Sequence, residues 1–217
     1  MLDWSQIENV FLDLDGTLLD LHFDNHFWLE YVPQCYAEHH QLSREDTQQI
    51  LDKKYADVYG RLNWYCVDYW TRELELDIAA LKQQVSDKIA VRPHVEEFLE
   101  ALHMHGKQVS LVTNAHPVSI QIKMHKTGLD RFFHRVVTSH QLHHAKEEQA
   151  FWQGLEQLEP FDKPSTLFID DNFSVLDAAR EFGIGHLLAI KQPDSRGELK
   201  DHHHYPLLAS FQQIMPA

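Results

Sequence analysis

Asp13 and Asp15 stand one residue apart directly after an apolar run, residues 10–12, and Gly16 and Thr17 follow at once. An apolar run of this kind is typical of a buried strand, so the two carboxylates would lie where that strand leaves the sheet. They would point the same way, because side chains alternate along a strand. Such like charges need a cation, a shared proton or water, and Mg²⁺ prefers oxygen ligands. The alternative is a turn that uses Asp and Gly for its backbone conformation.

Two later apolar runs also end in polar residues. One ends at Thr113, and Asn114 follows it; the other ends at Asp170, and Asp171 follows it. The hydroxyl of Thr113 could donate to a phosphoryl oxygen with nearby N–H groups assisting, or it could bond to the next turn. The adjacent carboxylates need a compensating charge if they are buried, and a role in a turn is their alternative.

Lys146 is the candidate cation of this set. It opens a segment, residues 146–158, that we predict to be helical. A positive charge at a helix N-terminus opposes the helix dipole, and this misfit favours an anionic partner close to Lys146. A lysine surrounded by water is the alternative.

The elements that must position these residues alternate between helix and strand from Arg92 onward. This alternation predicts an α/β fold, with a Rossmann-like parallel sheet flanked by helices. The strands are predicted at residues 108–113, 135–138, 166–170 and 185–190. The helices of this part are predicted at residues 93–105, 117–127, 146–158 and 175–182, with Ser174 as the N-cap of the last.

The segment between the first two predicted strands has a helical pattern instead. Residues 62, 65, 66, 69 and 70 are apolar or aromatic and fall on one helix face. Ser43 and Asp77 are predicted helix N-caps. We therefore predict an inserted α-helical cap, residues 21–89, within a catalytic core made of residues 1–20 and 90–217.

The composition excludes several classes of protein. The net charge is −14, which argues against a nucleic-acid polymer as partner, although a metal and one placed lysine could still hold a small phosphate ester. No apolar run approaches the roughly 18 residues of a membrane-spanning helix, so we expect no membrane partner. The beginning of the chain has no signal-peptide pattern. Cys35 and Cys66 form no paired motif, and a reduced, cytoplasmic location is expected.

The 17 histidines include clusters at residues 39–40, 143–144 and 202–204. Neither a His-Glu-x-x-His motif nor a zinc-finger spacing occurs, so we interpret the clusters as solvated surface histidines.

The four polar sites, taken in order, resemble the four motifs of the haloacid dehalogenase superfamily, and the first matches its Asp-x-Asp-Gly-Thr pattern completely. The resemblance implies that Asp13 is a nucleophile that forms an aspartyl-phosphate. It also implies that Asp15 acts first as general acid and then as general base, and that Thr113 and Lys146 hold the phosphoryl group. Dehalogenases of the superfamily lack the second acid, so Asp15 indicates phosphate chemistry.

The same resemblance implies an Mg²⁺ ion. Its ligands would be Asp13, the backbone carbonyl of Asp15 and a carboxylate of the Asp170-Asp171 pair. The family has Gly-Asp at this pair, which favours Asp171 as the direct ligand, with Asp170 behind it or bound through water.

Longer strings resemble the bacterial GMP/IMP 5′-nucleotidases, a branch of the superfamily. They are Asp-Gly-Thr-Leu-Leu-Asp-Leu-x-Phe-Asp-Asn, Leu-Asn-Trp-Tyr-Cys-x-Asp-Tyr-Trp and Thr-Asn-Ala-His-Pro. This resemblance implies a purine mononucleotide substrate. One departure is His144-Ala145, where an aromatic residue and a proline are expected, and it leaves the role of Lys146 in place.

Substrate contacts are expected from both parts of the chain. Aromatic rings of the insertion could stack on a base while amides and acids read its edge, or the rings could pack as the insertion's own core. The expected substrate-binding residues are His22, Asn25, Asn63, Trp64, Tyr65, Thr113, Asn114 and Lys146. A sugar-phosphate phosphatase, a phosphomutase and a non-catalytic phosphate-binding regulator are the alternatives, and the protein is expected to be a monomer or a dimer.

Overall fold

The structure, a computed structural model, describes residues 2–201 and 204–216, so His202 and His203 of the third histidine cluster lie outside the described residues. Within the described part, six parallel strands form one sheet in the order β3-β2-β1-β4-β5-β6. The predicted α/β class is confirmed. The strands are β1 Asn9–Leu12, β2 Gln108–Thr113, β3 Arg135–Thr138, β4 Thr166–Asp170, β5 His186–Ile190 and β6 Leu207–Leu208.

The central strand β1 is buried on both faces, which explains its continuous apolar sequence. Val10 and Leu12 belong to one hydrophobic cluster, and Phe11 belongs to a second cluster with Val112 and Phe168. Because successive side chains point to opposite faces, these clusters are the core layers on the two sides of the sheet.

Helices occupy the connections between successive strands from β1 to β5. Before β2 they are α1 His22–His26, α2 Val32–His40, α3 Arg44–Val58, α4 Val67–Leu74, α5 Ile78–Gln84 and α6 Val95–Met104, with a π-helical turn at Phe27–Tyr31. After β2 they are α7 Pro117–Thr127, α8 Ser139–Leu142, α9 Gln149–Leu158 and α10 Phe173–Phe182. Short 3₁₀ helices occur at Trp4–Gln6, Leu62–Tyr65, Ser86–Lys88, Leu129–Phe132 and Phe211–Ile214. Among the described residues, none of the helices has the length and apolar character needed to cross a bilayer.

The helical insertion leaves and rejoins the core through two neighbouring segments. Leu19 and Val91 form an antiparallel bridge. The N–H of Asp20 donates to the Ala90 carbonyl at 2.9 Å. The chain therefore goes out and comes back at one place, as expected for an insertion, and its limits at residues 21–89 stay a prediction.

The helix predicted across residues 62–70 is wrong. The chain forms a 3₁₀ helix to Tyr65, breaks at Cys66 (φ −90°, ψ 112°) and begins α4 at Val67. The break lets the Trp70 indole N–H donate to the Trp64 carbonyl at 2.8 Å. The aromatic spacing that suggests one helix therefore serves two short helices that pack against each other.

Three other helix starts also differ from the prediction. The helix predicted from Pro93 begins at Val95, because its N-cap His94 has a left-handed conformation (φ 64°). Lys146 does not open a helix: it lies in a turn closed by the Glu148 N–H on the Ala145 carbonyl (2.9 Å), and α9 begins at Gln149. Asn172, and not Ser174, is the N-cap of α10, and its side chain accepts from the Ser174 N–H at 2.9 Å.

The predicted N-caps of the insertion are confirmed. Ser43 accepts from the Asp46 N–H at 3.1 Å, and Asp77 accepts from the Ala80 N–H at 3.0 Å.

Candidate active site

The carboxyl ends of the three central strands bring the predicted polar residues together. Asp13 follows β1, Thr113 ends β2 and Asp170 ends β4, and parallel pairing places these ends at one edge of the sheet. Ligands of open α/β sheets bind at this edge. A cavity of about 520 Å³ lies there, and its polar lining includes Asp13, Asp15, Thr113, Asn114, Lys123, Lys146, Asp170, Asp171 and Lys200.

Three carboxylates form a cluster in this cavity. Asp13, Asp170 and Asp171 each place one carboxylate oxygen within 4.8 Å of those of the other two. Asp13 and Asp170 are only 6% and 1% exposed. Burial raises the pKa of Asp13 to about 6, and it raises the pKa values of Asp170 and Asp171 as well. Buried negative charge of this density, presented by oxygen atoms alone, fits a hard divalent cation such as Mg²⁺.

Lys146 lies between two of these carboxylates. Its ammonium nitrogen is 2.6 Å from Asp13 Oδ1 and 2.7 Å from Asp170 Oδ2, and it donates to the Val112 carbonyl at 3.1 Å. Burial opposes the charge, yet the two carboxylates raise the pKa of Lys146 above its ordinary value. The anionic partners expected for Lys146 are therefore buried aspartates, and the alternative of a solvated lysine is wrong.

Asn114 positions the turn that carries Lys146. Its side-chain carbonyl accepts from the Lys146 N–H at 2.9 Å, and its amide donates to Glu147 Oε2 at 3.0 Å. The other oxygen of Glu147 accepts from the Tyr65 hydroxyl at 2.6 Å. Glu147 is absent from the predicted site. It joins Tyr65 of the insertion to the loop after β2.

Asp15 belongs to a chain of alternating charges. Lys123 Nζ lies 2.6 Å from Asp15 Oδ1 and 2.7 Å from Asp24 Oδ2, and Lys82 Nζ lies 3.1 Å from Asp24 Oδ1. Burial and the neighbouring Asp24 raise the pKa of Asp15. Against burial, Lys123 and Lys82 hold the pKa of Asp24 well below its usual range. The chain runs from the sheet edge into the insertion.

Two small residues beside the carboxylates have specific roles. The Thr113 hydroxyl accepts from the Ala115 N–H at 3.0 Å and donates to no group among the described residues, so it supports the turn and can offer its proton to a ligand. Gly16 has φ +81°, and a Cβ there would lie 2.8 Å from Asp171 Cγ. Only glycine fits both this conformation and this approach.

Lys200 is a further cation that the sequence does not predict. Its ammonium donates to the Asp171 carbonyl and lies 3.2 Å from Asp171 Oδ2. It comes from the segment after β5, whose sequence shows no regular pattern. Its only identifiable signal is a lysine among polar residues, which is common on surfaces.

The residues predicted to contact a base divide into two groups. Asn25, Trp64 and Tyr65 line the cavity, whereas His22 and Asn63 are not among its lining residues. His22 Nδ1 instead lies 3.6 Å from a carboxylate oxygen of Asp194, so the structure does not bring His22 to the site.

The aromatic rings that line the cavity also pack against one another. Trp64 packs edge to face against Tyr55 at 5.6 Å and Tyr59 at 5.2 Å between ring centroids. Tyr59 is 72% exposed, so it lies at the rim. The aromatic lining comprises Trp28, Tyr55, Tyr59, Trp64, Tyr65, Trp70 and Phe173.

Comparison with known proteins agrees with this geometry. The GMP/IMP nucleotidase YrfG of Escherichia coli is 37% identical over 214 residues, which are 99% of this chain and 96% of that protein. Among solved structures, a HAD phosphatase from Thermococcus onnurineus has a TM-score of 0.78 at 19% identity and covers 96% of both chains. The HAD-hydrolase YfnB of Bacillus subtilis, solved with bound magnesium, has a TM-score of 0.64 at 15% identity, with 96% of both chains covered. At these identities the two structures establish the fold.

The family model described as haloacid dehalogenase-like hydrolase matches residues 10–189. That range contains Asp13, Thr113, Lys146 and Asp170, which the structure brings to one cavity. This chain belongs to the haloacid dehalogenase-like hydrolases.

Proposed function

We propose that this hydrolase is a Mg²⁺-dependent phosphomonoesterase that removes the 5′-phosphate of purine nucleoside monophosphates, GMP and IMP. The observation that carries the proposal is the placement of Lys146 between Asp13 and Asp170 at a cavity of about 520 Å³. This volume is in the range of small-molecule sites, roughly 300–1,000 Å³. The 37% identity to a GMP/IMP nucleotidase over nearly the whole chain supports the substrate.

The carboxylate cluster would hold the metal. Asp13, the backbone carbonyl of Asp15 and Asp171 are the proposed ligands. The oxygens of Asp170 already accept from Lys146 at 2.7 Å and from the Asn172 N–H at 2.7 Å, which supports Asp171 as the direct ligand. When bound, Mg²⁺ would neutralise charge on the phosphoryl oxygens.

Asp13 is the proposed nucleophile. Lys146 holds its Oδ1, which leaves Oδ2 to attack phosphorus. The bond from phosphorus to Asp13 forms as the bond from phosphorus to the 5′-oxygen breaks, and Asp15 gives its proton to that oxygen. The products of this step are an aspartyl-phosphate and the nucleoside.

Asp15 then works in the reverse direction. Its carboxylate takes a proton from a water molecule, the water oxygen attacks phosphorus, and the bond to Asp13 breaks to release phosphate. Lys123, 2.6 Å away, stabilises the carboxylate form that this second step needs. The raised pKa of Asp15 favours the protonated form that the first step needs.

Thr113 and Lys146 are proposed to hold the phosphoryl oxygens. The Thr113 hydroxyl can donate its proton to a phosphoryl oxygen, and Lys146 supplies positive charge next to the attacking oxygen. Asn114 is proposed to act through Lys146 and Glu147, because its side chain is engaged by both.

The helical insertion, residues 21–89, is proposed to supply the base-binding side. Trp64 and Tyr65 offer aromatic faces for stacking, and Asn25 offers an amide. Tyr65 is also bonded to Glu147, which contacts Asn114. These hydrogen bonds connect the proposed base-binding residues to the residues that hold the phosphate. The cytoplasmic location and the state of monomer or dimer stay predictions.

The test is phosphate release from GMP, IMP, AMP and several sugar phosphates, each measured with Mg²⁺ and with EDTA. We expect turnover of GMP and IMP well above that of the sugars, lost in EDTA and in Asp13→Asn. Turnover of sugar phosphates alone would preserve the reaction class and contradict the nucleotide substrate. If none of the esters is hydrolysed, the proposed phosphatase activity is contradicted and a phosphate-binding regulator is favoured.

A further inference from the structure

A second cluster of metal-ligating side chains lies outside the carboxylate site. Cys66, His116 and His140 each place one ligand atom within 4.8 Å of those of the other two. They come from three separate places: the break before α4, the N-cap of α7 and the short helix α8. His116 is 9% exposed, and the other two residues are half-buried.

The donor set differs in kind from the carboxylate cluster. One sulfur and two imidazole nitrogens are ligands for borderline and soft cations such as Zn²⁺, whereas Mg²⁺ selects oxygen. Three protein ligands are enough for a tetrahedral ion whose fourth position is taken by water or another side chain. The two clusters would therefore select different metals.

His140 has a buried nitrogen that lacks a partner. Its Nε2 has no hydrogen-bond partner within the described part of the chain. Its Nδ1 lies 3.3 Å from the Ser139 hydroxyl, and that hydroxyl gives its own proton to the Asn114 carbonyl at 3.0 Å. Ser139 must then accept from His140, so Nδ1 carries the hydrogen and Nε2 presents a lone pair. This is the form in which histidine binds a metal, with its other nitrogen oriented by a hydrogen bond.

The contacts of Cys66 and His116 show how each could bind the metal. The Cys66 sulfur accepts from the Tyr69 N–H at 3.4 Å. His116 Nε2 lies 3.7 Å from Asp68 Oδ2, and the exposed Asp68 carboxylate is close enough to serve as a fourth ligand after a side-chain rotation. Binding through this nitrogen would require a hydrogen on His116 Nδ1, so the long 3.3 Å contact from the Val118 N–H would be given up.

From this geometry we infer that Cys66, His116 and His140 form a binding site for a transition-metal dication, with Zn²⁺ as the fitting ion. The fourth position is left to Asp68 or water. His116 also lines the active-site cavity. None of the three ligands has a role in the proposed phosphatase chemistry, so the metal site stands or falls independently of that function.

The position of this site gives it a mechanical consequence. Cys66 belongs to the helical insertion, while His116 and His140 belong to the core. A bound ion would join the two parts directly beside Tyr65, which lines the active-site cavity. Metal at this site should therefore hold the insertion against the core and stabilise the folded chain.

The first experiment is titration of the full-length, reduced protein with Co²⁺ in excess Mg²⁺. We expect one equivalent to produce a thiolate-to-cobalt charge-transfer band together with the visible bands of a tetrahedral site, and Zn²⁺ to abolish both. The same equivalent of Zn²⁺ should raise the melting temperature by several degrees. Absence of the charge-transfer band in the wild-type protein would overturn the site.

Variants locate the signal. Cys66→Ser and His140→Asn should each lose the band, with folding verified by circular dichroism and Mg²⁺-dependent activity. Three variants outside the site are the controls: Cys35→Ser removes the other cysteine, His39→Asn removes a surface histidine, and Asp13→Asn alters the carboxylate cluster. All three should retain the band. A band that survives Cys66→Ser, or one that disappears in Cys35→Ser, would contradict the assignment.

Discussion

The ammonium nitrogen of Lys123 lies 2.6 Å from Asp15 Oδ1 and 2.7 Å from Asp24 Oδ2. Lys123 is 1% exposed, so this charge has been removed from water and depends on the two carboxylates. It connects the proposed acid and base of the reaction, on the core, to α1 of the insertion. The proton affinity of Asp15 is therefore set partly by a residue of the insertion.

Replacing Lys123 should damage the reaction and the fold together. In Lys123→Gln, Asp15 loses its stabilising cation, so its pKa should rise and the limb of the pH–kcat profile that reports it should move to higher pH. We expect kcat to fall at least about tenfold, given that positioned acid–base groups contribute roughly 10²–10⁴-fold. The buried carboxylates left behind should cost about 3–5 kcal/mol of unfolding free energy.

Lys126→Gln is the matched control, because Lys126 is exposed on the same helix, α7. It should leave the pH profile and the urea midpoint unchanged. An unshifted pH profile in Lys123→Gln would contradict the role given to Lys123.

The raised pKa of Asp13 predicts a pH-dependent stability. Burial raises this pKa from 3.8 to about 6 in the folded chain without metal. The ionised group therefore destabilises the fold above pH 6, and the penalty fades as the pH falls toward 4, where the carboxyl is protonated in both states. In EDTA at pH 7.5, Asp13→Asn should be more stable than the wild type by about 3 kcal/mol, since one pKa unit corresponds to about 1.4 kcal/mol.

Urea unfolding of both proteins at pH 7.5 and pH 4.5 measures this effect. The difference between the two proteins should shrink at the lower pH, and Mg²⁺ should stabilise the wild type more than Asp13→Asn at pH 7.5. A variant less stable than the wild type at pH 7.5 in EDTA would show that the pairing of Asp13 with Lys146 outweighs its burial.

Gly16→Ala should weaken metal binding. The added methyl would lie 2.8 Å from Asp171 Cγ, so the proposed metal ligand would have to move. We expect a higher Mg²⁺ concentration at half-maximal activity, together with about 1 kcal/mol of lost stability from the positive φ.

Gly106→Ala separates the two causes. Gly106 also has positive φ, +66°, but its Cβ would meet nothing within 4 Å. It should lose similar stability and keep the Mg²⁺ requirement of the wild type. Equal Mg²⁺ requirements for both variants would remove the proposed link between Gly16 and the metal site.

Trp64→Ala distinguishes base stacking from packing. If the ring stacks on the base, its removal should raise KM for GMP by more than KM for a generic aryl phosphate, because the second substrate has no purine to stack. Parallel kinetics on the two substrates provide the comparison. Equal changes would mean that Trp64, which packs against Tyr55 and Tyr59, serves the insertion's own core.

The sequence predicts the sheet edge well because strands buried on both faces have an unmistakable apolar pattern. Residues 108–113, 135–138 and 166–170 are strands with the predicted limits. Parallel pairing then brings their ends together without further information.

The wrong placement of Lys146 and the missed ion pairs of Lys123 and Lys200 have a common cause in long-range contacts. The sequence pattern predicts Lys146 at a helix start, but ion pairs with aspartates 133 and 24 residues away hold it in a turn. Lys123 meets Asp15 across 108 residues, and Lys200 meets Asp171 from a segment without periodicity. The local sequence pattern cannot reveal such partners. It also cannot reveal β6, because a strand of two residues is too short to show an alternating or apolar pattern.

The most direct test of Asp13 as the nucleophile is rapid quenching of the enzyme with GMP that carries radiolabelled phosphate. In the wild-type protein a labelled aspartyl-phosphate should form within the first turnover, and peptide mapping of the acid-quenched protein should place the label on Asp13. Hydroxylamine should release it, and Asp13→Asn should carry none. Label on another residue, or equal label in Asp13→Asn, would contradict the proposed nucleophile.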